Sequence, residues 1–157
     1  MMGMLTRLQR ALAALRSGKI AEATPEESDE PMRVLVVDDD QNVLRTAERA
    51  LRDAGYLPIS TTAPQAALQM ARSMAPGAIF LDVLMPGFDG WDVLAALKAD
   101  PGTSAIPVFM ICMLGERAEA LASGAAGVVS KPLDADKIMA ALTSVQSIRA
   151  GAALVAS

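Results

Sequence analysis

Val34-Leu35-Val36-Val37-Asp38-Asp39-Asp40 sets four apolar residues directly against three acids, and a helical pattern begins at Gln41. So short and unbroken an apolar run reads as a strand buried on both faces, which belongs in a parallel sheet covered by helices on both sides. Further strand-like runs follow at Tyr56 to Ser60, Ala78 to Leu81, Val108 to Ile111 and Gly127 to Ser130. The intervening segments have helical spacing: Gln41 to Ala54, Pro64 to Met74, Gly90 to Ala99, Arg117 to Ala122 and Asp136 to Ile148. This alternation predicts five βα units, hence an α/β domain doubly wound around a parallel sheet. Gly55 stands where a positive φ closes the first helix, and Pro101-Gly102 with Pro107 mark the loop before the fourth strand.

A chain of 157 residues with 52% apolar content can bury one real core and carry an appendage. Aromatics are only 3%, so the core is aliphatic, and the ten methionines read as packing. A net charge of −4 and a pI near 4.8 argue against coating nucleic acid, which needs clustered Lys and Arg. The single cysteine, Cys112, has no internal partner for a disulfide, and without histidine a His/Cys zinc cluster is excluded. No run approaches the ~18 apolar residues of a membrane span, and no signal peptide is evident, so the protein reads as cytoplasmic.

Residues 1–20 carry Arg7, Arg10, Arg16 and Lys19 without an acid, and an acidic linker over 21–31 follows. Leu5, Leu8, Leu12 and Leu15 recur at helical spacing, which predicts a basic amphipathic helix. Two leucine heptads are too few for a coiled coil. The segment from Met4 to Arg16 is thus a loosely packed appendage, a surface for self-association or a partner, or an anionic-membrane contact through Arg7 and Arg10.

In an open parallel sheet, function gathers beyond the carboxyl ends of the strands, where the strand order reverses. Asp38, Asp39 and Asp40 follow the first strand there, and Asp82 follows the third. Asp40 also suits the simpler role of capping the next helix. Carboxylates gathered this closely repel, so one keeps a proton or a cation sits among them; hard oxygen ligands suit Mg²⁺ (or Mn²⁺). A carboxylate is a nucleophile toward phosphoryl groups, and its attack needs positive charge to offset the anions. Lys131, held at a strand end by Pro132, is placed to act as a point-charge phosphate binder.

With these residues assembled, the sequence resembles the receiver domain of bacterial response regulators. Val36-Val37-Asp38-Asp39, the run from Leu81 to Gly90, Pro107-Val108-Phe109-Met110-Ile111 and Lys131-Pro132 stand in that family's order and spacing, over residues 32–148. The resemblance implies a flavodoxin-like sheet of order 2-1-3-4-5 followed by a tail over residues 149–157. It also implies Asp82 as phosphoacceptor and Asp38, Asp39, Asp82 and the Leu84 backbone carbonyl around the metal, with Asp38 acting through water. Lys131 would contact the acyl phosphate. The implied donor is a histidine kinase or histidine phosphotransfer protein, and such a domain is a switch rather than a metabolic enzyme. With nine residues after Ile148, output is expected through protein contacts and not through an attached DNA-binding domain.

Three positions depart from the family's pattern. Cys112 stands where a switch Thr or Ser is usual, Met113 where a very small residue is usual, and Val128 where an aromatic is usual. A thiol donates a hydrogen bond weakly, so Cys112 is either a weakened switch or a small buried apolar residue. Leu84 and Leu114 make the rim of the site apolar, which predicts slow hydrolysis of an acyl phosphate. Two other readings stand beside the phosphorylated switch. One is a receiver-like binding module that never takes phosphate. The other is an aspartate-nucleophile phosphohydrolase, which Asp38 and Asp40 fit weakly and the run from Asp82 to Gly90 does not fit.

Overall fold

A computed structural model describes residues 30–113 and 115–156. The expected N-terminal helix, most of the acidic linker and Leu114 lie outside the described residues. In chain order the elements are β1 (Arg33–Val37), α1 (Gln41–Asp53), β2 (Leu57–Thr61), a 3₁₀ turn (Pro64–Ala66), α2 (Ala67–Met74) and β3 (Ala78–Asp82). Then come β4 (Leu84–Met85), β5 (Phe88–Asp89), α3 (Gly90–Ala99), β6 (Val108–Cys112), α4 (Arg117–Ala122), β7 (Gly127–Ser130) and α5 (Ala135–Ala156). Five strands make one parallel sheet in the order β2-β1-β3-β6-β7, which is 2-1-3-4-5 when only its own strands are counted. This is the doubly wound, flavodoxin-like arrangement expected from the sequence.

Strand periodicity divides the core in two. Val34, Val36, Phe80 and Ile111 pack with Leu44, Leu51, Ile138 and Leu142, so α1 and α5 cover one face. Leu35, Val37, Ile79, Leu81 and Met110 pack with Ala71, Leu94, Leu97 and Ala120, so α2, α3 and α4 cover the other. Phe80 and Phe109 stack across β3 and β6 with ring centroids 5.4 Å apart.

The ends of α3, α4 and β7 fall where the pattern puts them. Gly55 takes φ +91° just beyond α1, and its N–H donates to the Arg52 carbonyl. Pro64 opens a 3₁₀ turn, and the α-helix expected there begins at Ala67. The last helix does not stop at Ile148: α5 continues to Ala156, so residues 149–156 of the expected tail are helical. An Ala-rich run with Gly151 as its weakest helix former contains no proline to end it. The short β4–β5 hairpin, joined through Gly87 at φ +75°, was not expected. Among the described residues no helix is long and apolar enough to cross a membrane.

The loop before β6 is tied down by its polar groups. Lys98 Nζ donates to the carbonyls of Ser104 and Ile106, and the buried Thr103 hydroxyl donates to the Leu97 carbonyl. Arg72 pairs with Asp100 at the same end. These contacts fix the lower end of β6, and so the register that carries its upper end to the site.

Candidate functional site

From β1 the chain runs outward to β2, and from β3 it runs the other way to β6, so the reversal falls between the carboxyl ends of β1 and β3. Asp38 leaves β1 at that point and Asp82 ends β3 beside it. Both carboxylates are 2% exposed, while Asp39 is exposed. One ligand oxygen from each of Asp38, Asp39 and Asp82 lies within 4.8 Å of the others. Three hard oxygen donors, two of them buried, fit a small divalent cation of the Mg²⁺ type.

Lys131 comes up from the end of β7, with its N–H on the Cys112 carbonyl, and its Nζ reaches Asp82 Oδ1 at 2.9 Å. The Leu84 N–H donates to the same oxygen at 3.1 Å. Oδ1 is thus held by two donors, and among the described residues Oδ2 receives none. The bond between Lys131 and Pro132 is cis.

Electrostatics explain why a cation is wanted. Burial, followed by the charges of Asp82 and Asp39, pushes the Asp38 carboxyl up to about 6, against the opposing Asp40 N–H and Lys131. Burial alone would lower the Lys131 ammonium. The hydrogen bond and charge of Asp82, with Asp38 and Asp39 behind it, outweigh burial and hold Lys131 above its usual value. Without metal, then, one lysine faces three carboxyl groups.

Asp40 is the cap of α1, its Oδ1 accepting from the Asn42 N–H at 2.9 Å, and it is not part of the carboxylate cluster. Asp89 caps α3 in the same way through the Trp91 N–H. Gly90 has a steric role that its place at the start of a helix does not reveal. Its N–H donates to the Val83 carbonyl, and an added Cβ would stand 2.2 Å from the Asp82 carbonyl oxygen and 2.7 Å from Val83 Cα. The start of α3 therefore lies directly against the backbone that carries Asp82.

Cys112 is 3% exposed within the apolar core, and Val128 is half-buried against the same cluster. Burial first, then the charge of Glu116, raise the Cys112 thiol, so it is a neutral S–H. Glu116 carries no sequence signal beyond lying four positions after Cys112. Leu84 stands exposed at the mouth, as the apolar rim requires, and so does Met113, while Leu114 lies outside the described residues.

Residues 34–143 match the family described as the response regulator receiver domain. Response regulator PleD of Caulobacter vibrioides is 42% identical over 117 residues, covering 72% of this chain and 26% of PleD. Protein PilG of Pseudomonas aeruginosa is 28% identical over 120 residues, covering 74% of this chain and 89% of PilG. The chain thus spans a small part of some relatives and most of others. Among solved structures, chemotaxis response regulator CheY4 of Vibrio cholerae superposes with a TM-score of 0.68 at 26% identity, over 73% of this chain and 98% of CheY4. A response regulator from Chloroflexus aurantiacus gives 0.69 at 28%, over 74% and 98%.

Proposed function

Because the chain belongs to the response-regulator receiver family, we propose that it takes a phosphoryl group from a histidine kinase or histidine phosphotransfer protein onto Asp82, and signals or relays it through protein contacts. The observation that carries this reading is the buried Asp82 carboxylate, held through one oxygen by Lys131 and Leu84 and flanked by Asp38 and Asp39.

Two donors on Oδ1 fix the carboxylate plane and leave Oδ2 for attack at phosphorus. As the P–O bond forms, the P–N bond of phosphohistidine breaks and the imidazole departs with the electron pair. Lys131, already charged and at the site edge, meets the incoming phosphoryl oxygens. Asp38, Asp39, Asp82 and the Leu84 carbonyl would hold Mg²⁺ (or Mn²⁺), which when bound supplies further positive charge against those oxygens. The product is a phosphoprotein and the protein is its own acceptor, so the role is that of a switch in a two-component system.

Intact mass after incubation with Mg²⁺ and either excess acetyl phosphate or a phosphorylated histidine phosphotransfer domain tests this. One added phosphoryl group is expected, absent in Asp82→Asn and after chelation. The apolar rim at Leu84 further implies a slowly hydrolysed product, with a longer half-life in the parent than in Leu84→Asn. The second reading, a binding module that works without phosphate, is favoured by Cys112, whose buried thiol stands where a hydroxyl would serve the switch. No mass change from either donor would select it.

A further inference from the structure

Six large hydrophobic side chains among the described residues are exposed, and the two most exposed gather at the mouth above Asp82: Leu84 at 67% and Met113 at 60%. The gathering follows from strand register. Asp82 pairs with Ile111, so Leu84 and Met113 each stand two residues beyond the same rung of neighbouring strands. Grouped apolar exposure marks a surface that something covers, whereas scattered exposure needs no explanation. Asp82 lies beneath this rim at 2% exposure, so a donor that delivers a phosphoryl group to it comes against Leu84 and Met113.

We propose that Leu84 and Met113 form a contact collar for a protein phosphodonor, and that the collar makes the site favour a phosphoryl group carried on a protein over one carried by a free small molecule. The proposal rests on the reading of Asp82 as acceptor. A small phosphodonor is a hydrated anion. To reach Asp82 it sheds water between side chains that offer no hydrogen bond in return. A protein donor with apolar residues around its phosphohistidine instead buries both side chains, and the area removed from water stabilises the encounter. The donor's chemistry is therefore specified as a phosphohistidine ringed by apolar side chains.

The test compares initial phosphorylation rates of the full chain and the double variant Leu84→Ala with Met113→Ala. Donors are acetyl phosphate and a panel of phosphorylated histidine phosphotransfer domains, all with Mg²⁺ and at equal concentration. Both side chains are exposed, so the variant keeps its fold, and Leu121→Ala, exposed on α4, serves as the control that leaves both rates unchanged. The double variant is expected to accept from acetyl phosphate at least about threefold faster and from the best protein donor about tenfold slower, a loss in the range that hot-spot truncation produces. Opposite signs for the two donor classes distinguish a collar from general damage. The same sign for both donors, or no protein donor faster than acetyl phosphate with the parent, overturns the collar. Absence of loading in parent and variant alike with every donor, as in Asp82→Asn, overturns the acceptor reading itself, whereas equal loading of parent and variant overturns the collar alone.

Discussion

Asp38 carries a conflict between burial and charge that pH can expose. Its carboxyl is pushed from 3.8 to about 6 in the metal-free fold. The folded state therefore keeps a proton that the unfolded chain releases across that interval. The stabilisation is fully present below pH 3.8, falls as pH rises through about 6, and changes little above it. Thermal melts in chelator between pH 4.5 and 7.5 should show the parent losing several degrees relative to Asp38→Asn, whose amide does not titrate. Excess Mg²⁺ should restore the parent at the upper end, because a bound cation stabilises the ionised cluster. A parent and variant that lose stability in parallel would remove Asp38 from the account. Gly90 makes a sharper demand at the same scale. A methyl group there meets backbone atoms of Asp82 and Val83 at 2.2 and 2.7 Å, and backbone cannot swing aside as a long side chain can. Gly90→Ala should lose about 2–4 kcal/mol in urea unfolding, in the upper range of overpacking, and should also slow phosphorylation by displacing Asp82.

At the scale of single elements, α1 separates structural from chemical acids. Asp38, Asp39 and Asp40 are consecutive, yet only the first two enter the carboxylate cluster, while the third bonds the Asn42 N–H. Asp40→Ala should cost about 1 kcal/mol of stability, Asp40→Asn much less, and both should leave phosphorylation at the parent rate. A phosphorylation defect in Asp40→Asn at unchanged stability would place Asp40 in the chemistry instead. The same helix shows what local sequence can and cannot say. Its cap and its closing Gly55 are local signals, and both were legible. The site was legible because acids directly after apolar runs can lie only at the carboxyl edge of a parallel sheet, and so was Lys131 once Pro132 fixed the strand end. The β4–β5 hairpin was not, because two-residue strands are too short to show alternation. Nor were the contacts of Lys98 with the Ser104 and Ile106 carbonyls, which depend on where packing leaves a side chain and not on its neighbours in sequence. The overrun of α5 past Ile148 has a similar cause: periodicity weakens where Ala predominates, and the pattern ends before the helix does.

For the whole molecule, the decisive feature is that two cores share one sheet. Alternate residues of β1, Val34 and Val36 against Leu35 and Val37, belong to opposite faces, so neither core keeps its wall if the other dissolves. Leu142 is fully buried with α1 and α5 on one face, and Trp91 packs against the core on the other, at the start of the helix that abuts the Asp82 backbone. Leu142→Ala removes apolar contacts and leaves a cavity, which should destabilise the fold by about 2–4 kcal/mol. Because the sheet couples the faces, the loss should be read equally by far-UV circular dichroism, which follows the helices, and by Trp91 fluorescence, the only tryptophan in the chain. Coincident denaturation midpoints, both moved to lower urea by the same amount, are the expected result. If Trp91 instead kept the parent midpoint while the helical signal moved, the two faces would unfold separately. A change on the face of α1 and α5 would then leave the surroundings of Asp82 intact, and phosphorylation at Asp82 would have no packed route to that face.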